Sequence, residues 1–192
     1  MTRLSYVKAL DAALKPLGFV RSGNDWVRLR GNISDCVNRQ KSWIDGGVTA
    51  NLFAKDLETD RILRSVACKY ELWVRPTDTR IGALIDGNDR WWKNDPNGPK
   101  ELAEAVLNFG IPWFDRVQTL EDQADLWYGR AAKVHSWSTG KMFELAVTLY
   151  RMGAVDEALA LFETPVRRTE VAQMLARGRC LQRWMLDQPG VG

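Results

Sequence analysis

The sequence predicts an α+β fold: an antiparallel β-meander sheet backed by helices, followed by a C-terminal α-helical hairpin. Three observations predict it. Between Leu17 and Asp56, short apolar and β-branched runs alternate with turn clusters at Ser22-Gly23-Asn24-Asp25, Gly31-Asn32 and Asp45-Gly46-Gly47. Apolar residues recur at three- and four-residue steps before that stretch, at Leu4, Val7, Leu10, Leu14 and Leu17. From about Lys141 onward the pattern is helical throughout.

The meander follows from turn chemistry and period. Gly and Asn accept the positive φ of tight hairpins, so the turn clusters separate antiparallel strands. Between the turns the period is two. Val27 and Leu29 lie opposite Trp26, Arg28 and Arg30; Val48, Ala50, Leu52 and Ala54 lie opposite Thr49, Asn51 and Phe53. The expectation is that Val27, Leu29, Val48, Ala50 and Leu52 share one buried face against Val7, Leu10 and Leu14 of the first helix. Pro16 and Gly18 end that helix.

After the meander, Asp56 to Asp60 is a polar break. Ile62, Val66 and Tyr70 stand at four-residue spacing, too short a run to choose between helix and strand. Tyr70 to Arg75 alternates like a strand and stops at Pro76. Asp86 to Asp89 is a turn, followed by Trp91-Trp92, adjacent side chains that cannot both point one way. A helix should begin near Pro99, carry Leu102, Ala105, Val106 and Phe109, and end at Gly110. A second short helix should begin at Pro112-Trp113-Phe114 and contain Leu120.

The tail continues with a helix ending at Gly153, another over Val155 to Phe162, and a last one from Arg167 to about Leu186 with Val171, Met174, Leu175, Leu181 and Met185 on one side. Gly153, Ala158 and Phe162 resemble part of one tetratricopeptide repeat. A single repeat cannot stand alone, so residues 128–192 are expected to form a hairpin docked on a sheet domain of residues 1–127.

Composition narrows the functional classes. The chain has 192 residues, 45% apolar and 27% charged, a globular balance. No run approaches the ~18 apolar residues of a membrane span. The start, Met-Thr-Arg-Leu-Ser-Tyr-Val-Lys, lacks the apolar core of a signal peptide, so a cytoplasmic protein is expected. Cys36, Cys68 and Cys180 are odd in number and scattered, which fits neither a disulfide framework nor a zinc site. The net charge of +3 comes from the tail: residues 1–127 hold 18 basic and 18 acidic side chains, residues 128–192 hold 9 and 6. A balanced body is not a nucleic-acid platform. The arginines of the last helix read as its solvent side.

Catalytic motifs are weak. His135 is the one histidine and sits in a polar connector. Asp56, Glu58 and Asp60, or Asp86 and Asp89, form carboxylate clusters of the kind that hold magnesium for phosphodiester cleavage, but polar turns generate such clusters routinely. Gly46-Gly47 is not followed by a helix and is no phosphate cradle. No catalytic residue, metal or cofactor is assigned. The candidate binding residues are Arg39, Gln40, Trp43, Arg80, Asp89, Trp91 and Trp92: arginines and tryptophans, the residue types that dominate binding hot spots, in polar sequence.

Leu14-Lys15-Pro16-Leu17-Gly18-Phe19, Asn24-Asp25-Trp26-Val27-Arg28, Asn38-Arg39-Gln40-Lys41-Ser42, Arg80-Ile81-Gly82 and Asp89-Arg90-Trp91-Trp92 together resemble an uncharacterised bacterial family, domain of unknown function 4304. The order is similar too: helix, meander, an Arg-Ile-Gly strand, a Trp-Trp segment, then a helix leading into Pro-Trp. The resemblance covers about residues 1–127. It supplies no catalytic residues. Small α+β families of this kind occur beside toxins as immunity proteins. The expected function is therefore a non-enzymatic, immunity-like or defence-associated module that binds a protein partner such as a toxin, with no set oligomeric state. The alternative is a metal-dependent hydrolase of nucleic acid using Asp56, Glu58 or Asp89.

Overall fold

The computed structural model describes residues 5–66, 79–93, 95–131, 139–163 and 171–188. The expected strand at Tyr70 to Arg75, Cys68 and His135 lie outside them. The chain forms two compact units: Met1–Lys55 with Thr77–Gln118, and Asp56–Pro76 with Thr119–Gly192. The segment 57–66 and the residues just after 118, read from sequence as part of the sheet domain, thus group with the helical tail.

The first unit opens with α1 (Tyr6–Leu14), whose first turn is capped by the Ser5 hydroxyl accepting from the Lys8 N–H at 3.2 Å. Tyr6, Ala9, Leu10 and Leu14 are its buried face, while Leu17 is exposed. Lys15–Leu17 tighten into a 3-10 turn before the sheet.

The sheet has five strands in the order β1 (Val20–Ser22), β2 (Asp25–Arg30), β3 (Ile33–Lys41), β4 (Val48–Asp56) and β5 (Thr79–Arg80). Gly23 and Gly31 take φ of 63° and 57° in the two-residue turns flanking β2, the conformation those tight turns require. β4 has the predicted parity, with Val48, Ala50, Leu52 and Ala54 buried; its opposite face, Thr49, Asn51 and Phe53, is buried as well.

β2 departs from the sequence reading. Trp26, Arg28 and Arg30 turn inward, and Leu29 is 64% exposed, with Val27 half-buried. The cause is register: Trp26 pairs with Val37, Arg28 with Asp35 and Arg30 with Ile33, so these six share a face. Trp26 is fully buried and its indole N–H donates to Asp11 of α1 at 2.8 Å. The first effect of that bond is to hold the Asp11 carboxyl below its ordinary pKa. Asp35 is fully buried and binds both arginines. Arg28 donates through Nε and Nη2 at 3.0 and 2.8 Å; Arg30 does so at 2.6 and 2.8 Å. Arg30 Nη2 also reaches the carbonyls of Phe114 and Val117 at 2.9 and 3.0 Å. Arg28 stacks over Phe19 at 4.8 Å. A hydropathy pattern sends arginines outward; a shared buried carboxylate reverses that.

The layer over this face is one helical run, α4 (Gly98–Ala105), a π turn (Val106–Gly110) and α5 (Ile111–Asp115). The predicted break at Gly110 is absent. Pro112 has no N–H for the Asn108 carbonyl, and the wider turn absorbs the missing bond. Phe109, predicted on the apolar stripe, is exposed. Leu102, Val106, Trp113, Phe114 and Val117 complete the core. Ile81 and Gly82, predicted as strand, begin α3 (Ile81–Ile85).

In the second unit α7 (Thr139–Arg151) is central. It packs against α2 (Leu57–Val66), α6 (Leu120–Ala131), α8 (Val155–Ala160) and α9 (Val171–Asp187). Leu120, read as part of a helix begun at Pro112, instead starts α6. Met142, Phe143, Leu145, Ala146, Val147, Leu149 and Tyr150 are all buried, as a helix surrounded on several sides requires. Ile62 and Leu63 of α2 join this core. Asp56 accepts from the Thr59 N–H at 2.7 Å, capping α2, and from Arg151 at the end of α7. Ala158 is fully buried and Phe162 stacks on Phe143 at 6.0 Å.

The two faces of the sheet should respond differently to charge. Leu52→Asp should cost ~3–5 kcal/mol and Leu29→Asp no more than ~0.5 kcal/mol, read from denaturant midpoints at constant slope. Asp35→Ala, which strands two arginines, should cost ~3–5 kcal/mol. A chain ending at Trp127 keeps α2 but loses α7, so Ile62 and Leu63 lose their cover; reduced thermal stability and aggregation on size-exclusion chromatography are expected.

Candidate functional site

One edge of the first unit is built by β5, α3 and the loop after it. A Cβ on Gly82 would stand 2.5 Å from the Arg90 nitrogen and 2.6 Å from the Asn88 carbonyl, so glycine lets residues 88–90 fold back over α3. The loop then pairs with the sheet: Val48 and Trp92 exchange backbone hydrogen bonds of 2.9 and 2.8 Å. The Tyr6 hydroxyl donates to the carbonyls of Trp92 and Lys93 at 3.1 and 2.6 Å. Trp92 is buried, and the Arg90 guanidinium lies 5.2 Å from its ring centre.

Beside this loop a line of polar side chains crosses four strands on the sheet face opposite Asp35. The pairings Asp25 with Asn38 and Asn51 with Arg80 put them on one side. Asn38 donates to Asp25 at 2.6 Å. Asn51 Nδ2 donates to Asn38 at 3.2 Å and to Gln40 at 2.9 Å. Arg80 sends Nε to Asn51 at 3.2 Å, Nη2 to Gln40 at 3.4 Å and Nη1 to Asp89. Its guanidinium sits 5.3 Å from the Trp91 ring centre, within cation–π range. The fork of one arginine thus fixes β3, β4, β5 and the loop at once.

The β3–β4 hairpin projects from this base. Its turn bonds to itself: the Ser42 hydroxyl accepts from the N–H groups of Ile44 and Asp45 at 3.2 and 3.4 Å, and Ser42 N–H donates to the Gly47 carbonyl at 2.7 Å. Asp45 accepts from the Gly47 N–H at 3.1 Å. The Ser42 side chain first, then that amide, hold the Asp45 carboxyl below its ordinary pKa. Trp43 and Ile44 are left 93% and 78% exposed.

The structure separates the seven candidate residues. Gln40, Arg80, Asp89 and Trp91 form the cluster just described. Trp43 stands alone at the hairpin tip. Arg39 lies on the opposite face and grips Asn24 through Nε and Nη2 at 3.2 and 2.5 Å. Trp92 is a core residue. Sequence reasoning missed Asn38 and Asn51, whose signal was a polar residue on the same strand face as Gln40, and Ile44, which simply follows Trp43.

The carboxylates considered for a metal have other partners. Asp56 binds Thr59 and Arg151. Glu58 binds Arg61, which holds its carboxyl below the ordinary value; Asp60 binds Arg64. Asp86 accepts from the Asn88 N–H and Asp89 from Arg80. Among the described residues no three His, Cys, Asp or Glu side chains are grouped to hold a metal ion. No helix among them is long and apolar enough to cross a membrane.

No curated protein and no solved structure matches the chain. One family model does, described as domain of unknown function (DUF4304), over residues 10–116. That span exceeds half the chain and runs from within α1 through the sheet to the end of α5. The chain belongs to this family.

Proposed function

We propose that this protein is a non-enzymatic binding module that docks a protein partner through the tip of its β3–β4 hairpin, with the Arg80–Trp91–Asp89 cluster as the rigid base beneath. The observation that carries this reading is the exposure of Trp43 and Ile44, at 93% and 78%, on a turn held by its own hydrogen bonds. A tryptophan that packs on nothing in its own fold contributes nothing to folding. Buried in a partner, its 150–250 Å² is worth roughly 4–6 kcal/mol before the costs of association. Because the turn is already ordered, little loop entropy is lost on binding.

The immunity-like form of this proposal, in which a bacterial cytoplasmic protein neutralises a toxin, takes its support from the association of small α+β families with toxins. It adds an identity for the partner, not a different surface. The hydrolase alternative has no comparable support, since each carboxylate it would use is paired with an arginine.

Substitution separates docking from folding. Trp43→Ala should weaken capture of the partner from host cells at least tenfold, about 1.4 kcal/mol, while moving the thermal midpoint by no more than about a degree. Arg80→Ala and Trp92→Ala should lower the midpoint, because each is tied into the fold. Undiminished capture by the Trp43→Ala protein would overturn the reading.

A further inference from the structure

The charges around the tip point to the chemistry of what it meets. Lys41 ends β3, and its Cε lies 4.0 Å from where a Cβ on Gly46 would stand, so it runs along the turn. The Trp91 Cβ lies 3.3 Å from the corresponding point on Gly47, which sets the 90–93 loop against the hairpin. Arg90 and Lys93 flank Trp91 and Trp92 in that loop, and both are exposed, as is Lys41. Among the described residues Lys41 and Arg90 are in no ion pair with a carboxylate, while Lys93 lies close enough to Asp45 to help hold that carboxyl below its ordinary pKa. Elsewhere pairing is common: Arg28, Arg30, Arg61, Arg64, Arg80 and Arg151 each bind an aspartate or glutamate.

The acidic groups nearby are turned onto their own backbone. Asp45, the only carboxylate of the turn, accepts from the Gly47 N–H; Asp95 accepts from the N–H groups of Asn97 and Gly98 at 2.8 Å each. Asp89 is neutralised by Arg80. The tip is therefore an apolar pair with an excess of positive charge around it, Lys41, Arg90 and Lys93 against the Asp45 carboxylate.

Resting on the reading of the tip as a docking site, we propose that its occupant is a protein with an apolar pocket rimmed by carboxylates, which receives Trp43 and Ile44 and pairs with Lys41 and Lys93. The excess of cations disfavours one kind of target. A plug for a phosphate-binding cleft would carry an excess of carboxylates here, to match the cations of that cleft. If the partner is a toxin, this tip grips it away from any such cleft. An anionic membrane also attracts lysine beside tryptophan. Two side chains, however, bring less apolar surface than a single acyl chain, which by itself gives only marginal membrane binding.

The test uses the full-length protein and a zero-length carbodiimide, which joins lysine amines to carboxylates only at ion-pair distance. In host lysate, peptides carrying Lys41 or Lys93 should be joined to Asp or Glu of one protein, and Trp43→Ala should abolish these links. The K41E/K93E variant, with both changes at exposed positions, should keep its melting midpoint. It should lose capture of that protein at least tenfold at low salt, with the gap between variant and parent narrowing as salt screens the charges. Capture that depends on Trp43 but not on the lysines, without lysine–carboxylate links, would overturn this inference and leave the docking reading standing. No Trp43-dependent link or capture of any protein would overturn both. Trp43-dependent sedimentation with vesicles of 30% phosphatidylserine and 70% phosphatidylcholine, absent with pure phosphatidylcholine, would assign the tip to a membrane instead.

Discussion

The first unit depends on a fully buried carboxylate. Asp35 in the middle of β3 accepts four hydrogen bonds from two arginines of β2, and one of those arginines also closes on the carbonyls of Phe114 and Val117. A carboxylate in that position is costly to desolvate and is tolerable only when fully bonded. Slipping β2 by one residue would swing both arginines to the other face and leave Asp35 with nothing. The charge cluster thus specifies register more strongly than Val27 or Leu29 could. It also fixes the end of the helical run over the sheet, because the carbonyls Arg30 binds lie at and just beyond the end of α5.

With that register set, the opposite face is determined. Asp25, Asn38 and Gln40 fall on it by alternation, and Asn51 and Arg80 meet them from β4 and β5. Each of these amides has both a donor and an acceptor, so neighbours can bond in series. Arg80 then ends the line on Asp89 and Trp91. The consequence for function is mechanical. The hairpin between β3 and β4 springs from strands cross-linked by this line, and its own turn is closed by Ser42 and Asp45. Trp43 is held out by a rigid support, as the proposed docking role requires.

Period and turn chemistry made much of this fold legible. The hairpin turns, the face of α1 and the parity of β4 all follow from residue type at fixed spacing. The parity of β2 did not, because hydropathy sends Arg28 and Arg30 to water, and the fact that rescues them, a carboxylate at position 35 on the next strand, is a pairing and not a pattern. The same limit explains the site. Gln40, Arg80, Asp89 and Trp91 were singled out by residue type and do meet, but the bonds joining them span up to 40 positions of sequence. Arg39 and Gln40 looked equivalent as neighbours; strand alternation sends one to Asn24 and the other to Arg80. The π turn at Val106–Gly110 was hidden because a Gly-x-Pro sequence more often ends a helix than widens it.

The helical tail shares its unit with α2. The family match spans residues 10–116 and so includes α2, yet α2 groups with the C-terminal helices. Its acidic first turn and Arg61 and Arg64 face water, while Ile62 and Leu63 belong to the core around α7. An isolated ten-residue helix is marginal in water, so packing and not propensity must stabilise α2. The packing is supplied by a helix more than seventy residues further on. Asp56 makes the link explicit, since it both caps α2 and binds Arg151 at the end of α7. β4 leads straight into α2, and its last residue, Asp56, already belongs to the second unit. A cut placed by sequence between the family segment and its tail would therefore pass through a core and not through a linker.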